Sequence, residues 1–506
     1  MSATPEHIQR IARSGGLSVV GAGVSAVVGV LLVMVITRSD LGQSAAGSVF
    51  TTTALFLIAV TVVQLGADVG IVRWLPLHIA VGDEHNVSTT MRAAFAPVLI
   101  LSLLVGTAAF LFASPIAALF GSSAEEIAPQ LRVLALFLPL AACYNLVLAT
   151  TRGYRTMRPT VVVESLGRHT VQLALVFLAS ALGLTAVGFV TAWSIPYLVA
   201  FAFAAVWLFR LQRRMHVRTR EAGHAGRSPD PGIAEKFWRF TAPRGVATIA
   251  QTLLKRSDII LVAALSSTTQ AALYAAATRF VVFGQLAVQA LQQALAPQMS
   301  ATLARQDRES AQDIYRTTTA WGMTLAWPVY IASAVLSPWL LLLFGPQYSE
   351  AAGVVAVLSL AMLIATACGS VDTVLLMAGR SWLSLMNTGI ALVINLGMNF
   401  VLIPTYGIIG AAISWAVAIL VRNVLPLAMI NRMLGMSPFG SASSWVAISA
   451  VACVGVVPTL LRVSGAPFAV ILATTVTGGF AYLALLWIGR HRLQLTAFGA
   501  MVQRRS

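Results

Sequence analysis

Apolar runs of 18 or more residues, separated by short charged or Gly/Pro-rich turns, recur along the whole chain and leave little room for anything else. Read in order they give about fourteen segments, the first at residues 15–36 and the last centred near residue 478. Hydrocarbon offers backbone amides no water, so runs of this length are expected to be membrane-spanning helices, whose peptide groups bond internally. Composition agrees: 58% of residues are hydrophobic and 10% charged, where an ordinary soluble chain is about a quarter charged. The expected fold class is an all-α polytopic membrane protein with no soluble domain. The first run is too long for a secretory hydrophobic region and lacks a convincing cleavage site, so it reads as a retained helix.

The formal charge of +16 has to be read by location. In a soluble protein it would suggest nucleic acid; here loops facing anionic lipid account for it, and no nucleic-acid partner is expected. With the N-terminus inside, the inner segments hold Arg10, Arg13, Arg73, Arg92, Arg152, Arg155 and Arg158, then nine basic residues from Arg210 to Arg244. They continue with Arg305, Arg308, Arg316, Arg380, Arg432, Arg490, Arg492, Arg504 and Arg505, against only Arg38 and Arg462 outside. That asymmetry predicts a multi-pass protein of the cytoplasmic membrane with both termini cytoplasmic. The longest polar stretch, 210–242, reads as a basic cytoplasmic linker. It separates six spans at 1–209 from six more at 243–433, leaving two spans and a cytoplasmic tail at 434–506. Six and six with the same orientation implies two lobes in a parallel pseudo-twofold repeat. Weak self-similarity supports this: RGYRTMRP at 152 leads to GFVTAW at 188, and AGRSWLSL at 378 leads to GAAISW at 410, so Gly188 with Trp193 matches Gly410 with Trp415.

Catalytic motifs are missing. There is no G-x-x-x-x-G-K-[ST] to cradle a nucleotide and no H-E-x-x-H or Cys/His cluster to hold zinc. Cys143, Cys368 and Cys453 lie far apart in apolar segments, which suits neither a disulfide framework nor a metal site. Outer loops are short, and Glu125 with Glu126 is the one acidic pair among them. The chain is therefore expected to be no enzyme and to need no cofactor, with H+ or Na+ left open as a coupling ion.

The informative residues are the polar ones inside the spans. Ten are ionisable: Asp68, Arg132, Glu164, Arg168, Lys255, Arg256, Asp258, Arg279, Asp372 and Arg422. Each would cost roughly 2.5–3.5 kcal/mol at a helix centre, so they are expected to face the protein interior or a watery cavity. Glu164 and Arg168 are i,i+4 and can pair on one face. Within LLKRSDIILVAAL, 253–265, Asp258 lies eight residues before Ser266, and Arg279 lies nine after Gln270. At 1.5 Å per residue both sit about 12–14 Å below the outer surface, a depth at which they can pair across spans seven and eight. Lys255 shares a face with Asp258, which leaves Arg256 the freer cation. Two polar stripes accompany the charges. Thr53, Thr61, Gln64 and Asp68 fall within roughly 80° on the second span, and Gln285, Gln289, Gln292 and Gln293 within about 100° on the eighth. Pro139, Pro196, Pro328 and Pro426 mark expected kinks, and the glycines of the first span allow it to bend.

Residues from 340 onward resemble the C-terminal half of polysaccharide-biosynthesis membrane proteins in the multidrug/oligosaccharidyl-lipid/polysaccharide (MOP) superfamily. The likeness is carried by FG-x-x-Y (Phe344, Gly345, Tyr348), the AGR turn at 378, N-x-x-x-N-F-x-L-I-P from Asn395 to Pro404, and YGIIGAA from Tyr406. SDIILVAALSSTTQAALYAAATRF at 257 and GADVGIVRWLP at 66 extend it over essentially the whole chain. Within the superfamily the chain looks most like Wzx-type flippases; the first-hairpin pattern of lipid II flippases is not found in TRSDLGQSAAGSVF. The resemblance implies alternating access of two lobes around a basic cavity and a polyprenyl pyrophosphate-linked oligosaccharide or cell-envelope glycolipid as substrate. Lys255, Arg256, Asp258, Arg279, Gln64, Asp68, Gln285 and Gln289 are then the expected lining. Membrane lipids, and a polysaccharide polymerase or glycosyltransferase complex, are the implied partners. A drug- or cation-exporting antiporter of the MATE type and a non-transporting scaffold remain open alternatives, the first because of Asp68.

Overall fold

A computed structural model describes residues 5–80, 83–221 and 232–493. The expected tail with Arg504 and Arg505, and Arg227 in the basic linker, lie outside the described residues. No β-strand occurs among those described. The helices of the first half are α1 (Pro5–Arg38), α2 (Gly42–Gln64), α3 (Ala67–Ala80), α4 (Glu84–Leu111) and α5 (Ala124–Gly153). A π-helical stretch, Thr160–Arg168, runs into α6 (His169–Ala181), and α7 (Ala186–Ser194), α8 (Pro196–Glu221) and α9 (Ile233–Leu265) follow. The second half continues with α10 (Thr268–Ala277), α11 (Arg279–Ala304), α12 (Arg308–Leu341), α13 (Ala352–Ala367), α14 (Val371–Met377) and α15 (Ser381–Leu434). It ends with α16 (Ser441–Ala450), a π-helical turn Val451–Val456, α17 (Val457–Val463) and α18 (Phe468–Ile488).

Among the described residues, eleven helical segments are long and apolar enough to cross a membrane. The sequence leads one to expect about fourteen, and the difference has physical causes. α15 is two helices run together across Gly407, whose backbone (φ 56°, ψ −133°) is non-helical. α9 carries Lys255, Arg256 and Asp258, and α11 carries five glutamines, so both are less apolar than a simple span while being as long as one.

The chain forms two compact units, one of residues 10–272 and one built from the residues after Ala272. The boundary falls later than the basic linker, so α9, the seventh span, packs with the first six. Two glycines explain the closeness. The second span breaks after Gln64, where Leu65 and Gly66 take positive φ (49° and 78°), and a Cβ on Gly66 would lie 2.6 Å from the Gly245 nitrogen of α9. A side chain on Gly245 would in turn collide with the Leu65 carbonyl. In the same unit Gln130 of α5 accepts from Thr52 at 2.8 Å and donates to Ser48 at 2.7 Å, tying α5 to α2.

In the second unit the last two spans pack on α12, where Ala320, Met323, Ile331 and Val335 meet Val446, Val454, Ile471 and Tyr482. Prolines direct the polar contacts. Proline has no N–H, so the carbonyl four residues before it loses its helical partner, and in a bilayer that oxygen must be satisfied by another part of the protein. Pro328 frees the Thr324 carbonyl, which accepts from the Tyr482 hydroxyl at 3.1 Å. Pro338 frees the Ala334 carbonyl, which accepts from Arg462 at 2.7 Å, and the same nitrogen reaches Val335 at 2.9 Å. In the first unit Pro97 frees the Ala93 carbonyl, which accepts from the Trp238 indole at 3.1 Å. The expected proline sites are all at or inside helices: Pro139 in α5, Pro328 in α12, Pro426 in α15, and Pro196 opening α8.

Tyr482→Phe strands the Thr324 carbonyl and is expected to destabilise the protein by about 1–3 kcal/mol. In a Pro328→Ala background the helix supplies its own N–H, and the same change should be nearly neutral. Thermal unfolding of the four proteins in detergent measures the cycle; equal losses in both backgrounds would contradict it.

Candidate functional site

The densest group of intramembrane polar side chains is in the first unit, built on the π-helical stretch 160–168. A π-helix places about one extra residue in each turn and is frequent where a side chain must be re-aimed. Here Glu164 and Arg168 face each other, with Nη2 to Oε1 at 2.6 Å and Nε to Oε2 at 2.8 Å. The pairing expected from their spacing is thus observed, in a two-pronged form. The Tyr144 hydroxyl donates to Glu164 Oε2 at 2.6 Å, and His169 Nδ1 lies 2.8 Å from the Glu164 carbonyl. Arg168 also reaches Gln172 at 3.4 Å, whose amide donates to the Trp193 carbonyl at 2.8 Å. With a carboxylate, a phenol and an amide around it, the Arg168 charge is well compensated.

Aromatic rings wall this network. Arg168 Cζ sits 4.6 Å from the centroid of Tyr197. That ring packs against Tyr144 at 6.0 Å, Trp193 at 5.7 Å and Phe56 at 5.9 Å, mostly edge to face. On its other connections Tyr197 lies within electrostatic reach of Arg256. Arg152, which closes α5, is within reach of both Asp68 and Glu164. The sequence-predicted residues Asp68 and Arg256 thus lie within electrostatic reach of this network, Asp68 of Arg152 and Arg256 of Tyr197.

The three charged positions of the seventh span differ in environment. Lys255 is exposed, Arg256 partly buried and Asp258 buried, and Lys255 and Asp258 are both engaged by neighbours. Arg256 has no carboxylate within ion-pair distance among the described residues. Gln64 is buried, with its amide nitrogen unbonded among the described residues. The polar stripe read along the second span is interrupted. Thr53 and Thr61 bond back to the Val49 and Leu57 carbonyls at 2.8 and 2.9 Å. The break at Leu65–Gly66 then puts Asp68 in the first turn of a new helix, α3, where exposed N–H groups favour a carboxylate. The expectation failed there because it assumed one unbroken helix.

Arg279, Gln285 and Gln289 belong to the second unit. Arg279 Nε donates to the Ala275 carbonyl at 3.2 Å, Gln285 lies 3.9 Å from the Met362 sulfur, and Gln289 is exposed. A pair that the sequence left unmatched forms here: Arg422 meets Asp372 at 3.0 Å, and Ser384 donates to the same carboxylate at 3.2 Å. Asn387, Asn395 and Asn399, eight and four residues apart on α15, are fully buried. Arg132 is exposed and bonds Ser114 at 3.0 Å. Tyr144, Tyr197 and Arg152 carried no signal in the sequence, since a tyrosine in an apolar run reads as core and Arg152 reads as a loop cation.

The sequence profile of polysaccharide biosynthesis proteins matches residues 47–353. Two curated relatives are similar. One is a probable low-salt glycan biosynthesis flippase, Agl15, of Haloferax volcanii, 22% identical over 48% of this chain and 54% of its own length. The other is the succinoglycan biosynthesis transport protein ExoT of Rhizobium meliloti, 26% identical over 62% of this chain and 60% of its own. The chain thus spans little more than half the length of the curated relatives it matches. Among solved structures, the lipid II flippase MurJ in an inward closed conformation superposes with a TM-score of 0.73 at 11% identity, covering 94% of this chain and 98% of the other. An inward-facing MATE multidrug transporter of the MOP superfamily superposes with 0.66 at 16% identity, covering 80% and 94%. Both likenesses establish the fold.

Removing one member of the Glu164–Arg168 pair leaves a buried charge uncompensated, which typically costs about 3–5 kcal/mol. Glu164→Leu or Arg168→Met alone should sharply reduce folded protein in the membrane, and the double substitution should recover much of it. Yields by fluorescence-detected size exclusion decide the matter; a double variant no better than the worse single one would contradict the pairing energetics.

Proposed function

Because the chain belongs to the polysaccharide biosynthesis protein family, we propose that it is a flippase that moves a polyprenyl pyrophosphate-linked oligosaccharide, or a comparable cell-envelope glycolipid, across the cytoplasmic membrane. The observation that carries this reading is Arg256, a guanidinium within the seventh span with no carboxylate partner among the described residues. Such a charge is stabilised at depth by a mobile anion, and a pyrophosphate offers oxygens that a guanidinium binds through paired hydrogen bonds. Lys255, next along the helix, adds a second cation on an adjacent face. The names of the relatives and the fold of the MurJ and MATE structures support transport by alternating access. The family, the fold and the transporter relatives point away from an enzyme. The nearby Arg152 offsets Asp68, which weakens the drug- or cation-export alternative.

The proposed topology is fourteen spans with both termini cytoplasmic: the eleven described above, the second helix within α15, and α9 and α11. Repetition of local detail supports two equivalent halves. Asp83 caps α4 through Asn86 and Asp307 caps α12 through Ser310 at 3.2 and 3.0 Å, at the third and ninth spans. Gly188 and Gly410, which open the sixth and twelfth, each allow a close approach to a leucine of the preceding segment, Leu184 and Leu402. H+ or Na+ is the proposed coupling ion. A polymerase or glycosyltransferase that makes or uses the saccharide is the proposed partner.

Arg256→Ala should abolish or sharply reduce export of labelled lipid-linked saccharide while leaving the amount of folded protein near that of the parent. Lys255→Arg should retain part of the activity. Depletion of the protein should trap the lipid-linked saccharide on the cytoplasmic leaflet, and a reporter fused after Ala124 should read periplasmic. Normal export by a stable Lys255→Ala, Arg256→Ala protein would overturn the anion-site assignment.

A further inference from the structure

α3 and the start of α9 run against each other in the first unit with almost no slack. Gly66 is pressed on Gly245, and a Cβ on Gly70 would fall 2.7 Å from the Phe237 ring. The Trp238 indole fixes the same part of α9 to the Ala93 carbonyl. Register between the two helices is thus set by backbone contacts that cannot yield. One turn beyond Gly70, Arg73 places Cζ 4.2 Å from the centroid of Phe240, and Arg244, one turn along α9, places Cζ 5.0 Å from the same centroid. The two charged carbons therefore lie within about 9 Å of each other. Both side chains are exposed, and neither has a carboxylate within ion-pair distance among the described residues.

We propose that Arg73 and Arg244, both held on the Phe240 ring, form a binding site for the phosphate of an anionic glycerophospholipid. Two guanidiniums this close repel one another. The electron-rich ring face offsets part of that repulsion, and an anion shared between them removes the rest. A guanidinium over a ring keeps its edge N–H groups for another acceptor, which suits a phosphate oxygen. Lys236 and Arg239, both exposed on the same part of α9, place two further basic groups there beside the carboxylate of Glu235. The surroundings favour a resident lipid over a soluble anion. Val72 and Val246 flank the two arginines and are 37% and 58% exposed, and Leu77 is 52% exposed. Acyl chains would cover these side chains while the head-group meets the arginines. The proposal does not depend on the substrate proposed above.

Native mass spectrometry of the full chain released from detergent, titrated with phosphatidylglycerol or phosphatidylcholine, tests this. A basic residue near a membrane surface strengthens anionic-lipid binding by about fivefold, so Arg73→Gln or Arg244→Gln should weaken phosphatidylglycerol binding by about that factor and the double variant by about thirtyfold. Arg73→Lys with Arg244→Lys should recover a large part of the loss, and Arg380→Gln, an exposed arginine of the second unit, should bind like the parent. Phosphatidylglycerol binding by the double glutamine variant equal to the parent's would overturn the proposal. So would equal binding of phosphatidylcholine by the parent. Displacement of phosphatidylglycerol by equimolar polyprenyl pyrophosphate would overturn the phospholipid assignment in favour of the substrate lipid, and displacement by inorganic phosphate would overturn it in favour of a soluble anion.

Discussion

In hydrocarbon a backbone carbonyl without a donor costs several kcal/mol, and this chain places prolines inside many of its long helices. The protein meets the resulting demand with side chains from neighbouring helices. Trp238 serves the carbonyl freed by Pro97, Tyr482 that freed by Pro328, and Arg462 that freed by Pro338. Each contact is also what locates a helix. The last two spans are attached to α12 at two of these oxygens, and the start of α9 is attached to α4 at the third. Prolines that kink the helices therefore also determine which helices stand next to one another.

The same accounting applies to charge. An ionised side chain in a span must find compensation, and the observed solutions differ in completeness. Glu164 with Arg168 is closed on nearly every side by Tyr144, Gln172, His169 and Tyr197. Asp372 with Arg422 is a simpler pair with one hydroxyl added. Arg256 has Tyr197 within electrostatic reach and no carboxylate within ion-pair distance among the described residues. A group compensated by fixed protein atoms is stable in any conformation that preserves its helix. One left to a mobile anion is stable only when that anion is present, and this is the property a transport site requires.

The membrane class, the all-helical fold and the Glu164–Arg168 pair were legible in the sequence because each rests on a short-range regularity: run length, composition or i,i+4 spacing. The break at Leu65–Gly66 was less legible. GADVG reads as a continuing apolar segment, and nothing local announces that Gly66 must take positive φ to meet Gly245, 179 positions away. Asp68 was accordingly singled out as a polar residue of the span and given the wrong helical phase. The Asp372–Arg422 pair, fifty residues apart, and the role of Tyr197 depend on which helices become neighbours, and the residues themselves carry no mark of it. Proline-freed carbonyls were readable as a demand, since every Pro inside a run implies one. Their donors were not, because Trp238, Tyr482 and Arg462 lie 145, 158 and 128 positions from the oxygens they serve.

The reach of Tyr197 to both Arg168 and Arg256 bears on how the proposed site would work. Its ring face is occupied by Arg168, a cation already neutralised by Glu164, so the ring is held in place without consuming the charge of Arg256. Were Arg168 unpaired, two guanidiniums would compete for one anion and the substrate would be gripped by both, binding tightly and leaving slowly. Pairing one arginine permanently and leaving the other without a carboxylate among the described residues would give the proposed site a moderate net charge. Under the proposed function, such a site would be strong enough to draw a pyrophosphate into the bilayer and weak enough to release it on the other side. On this view Glu164 acts on transport without touching the substrate, by keeping Arg168 out of the anion's coordination.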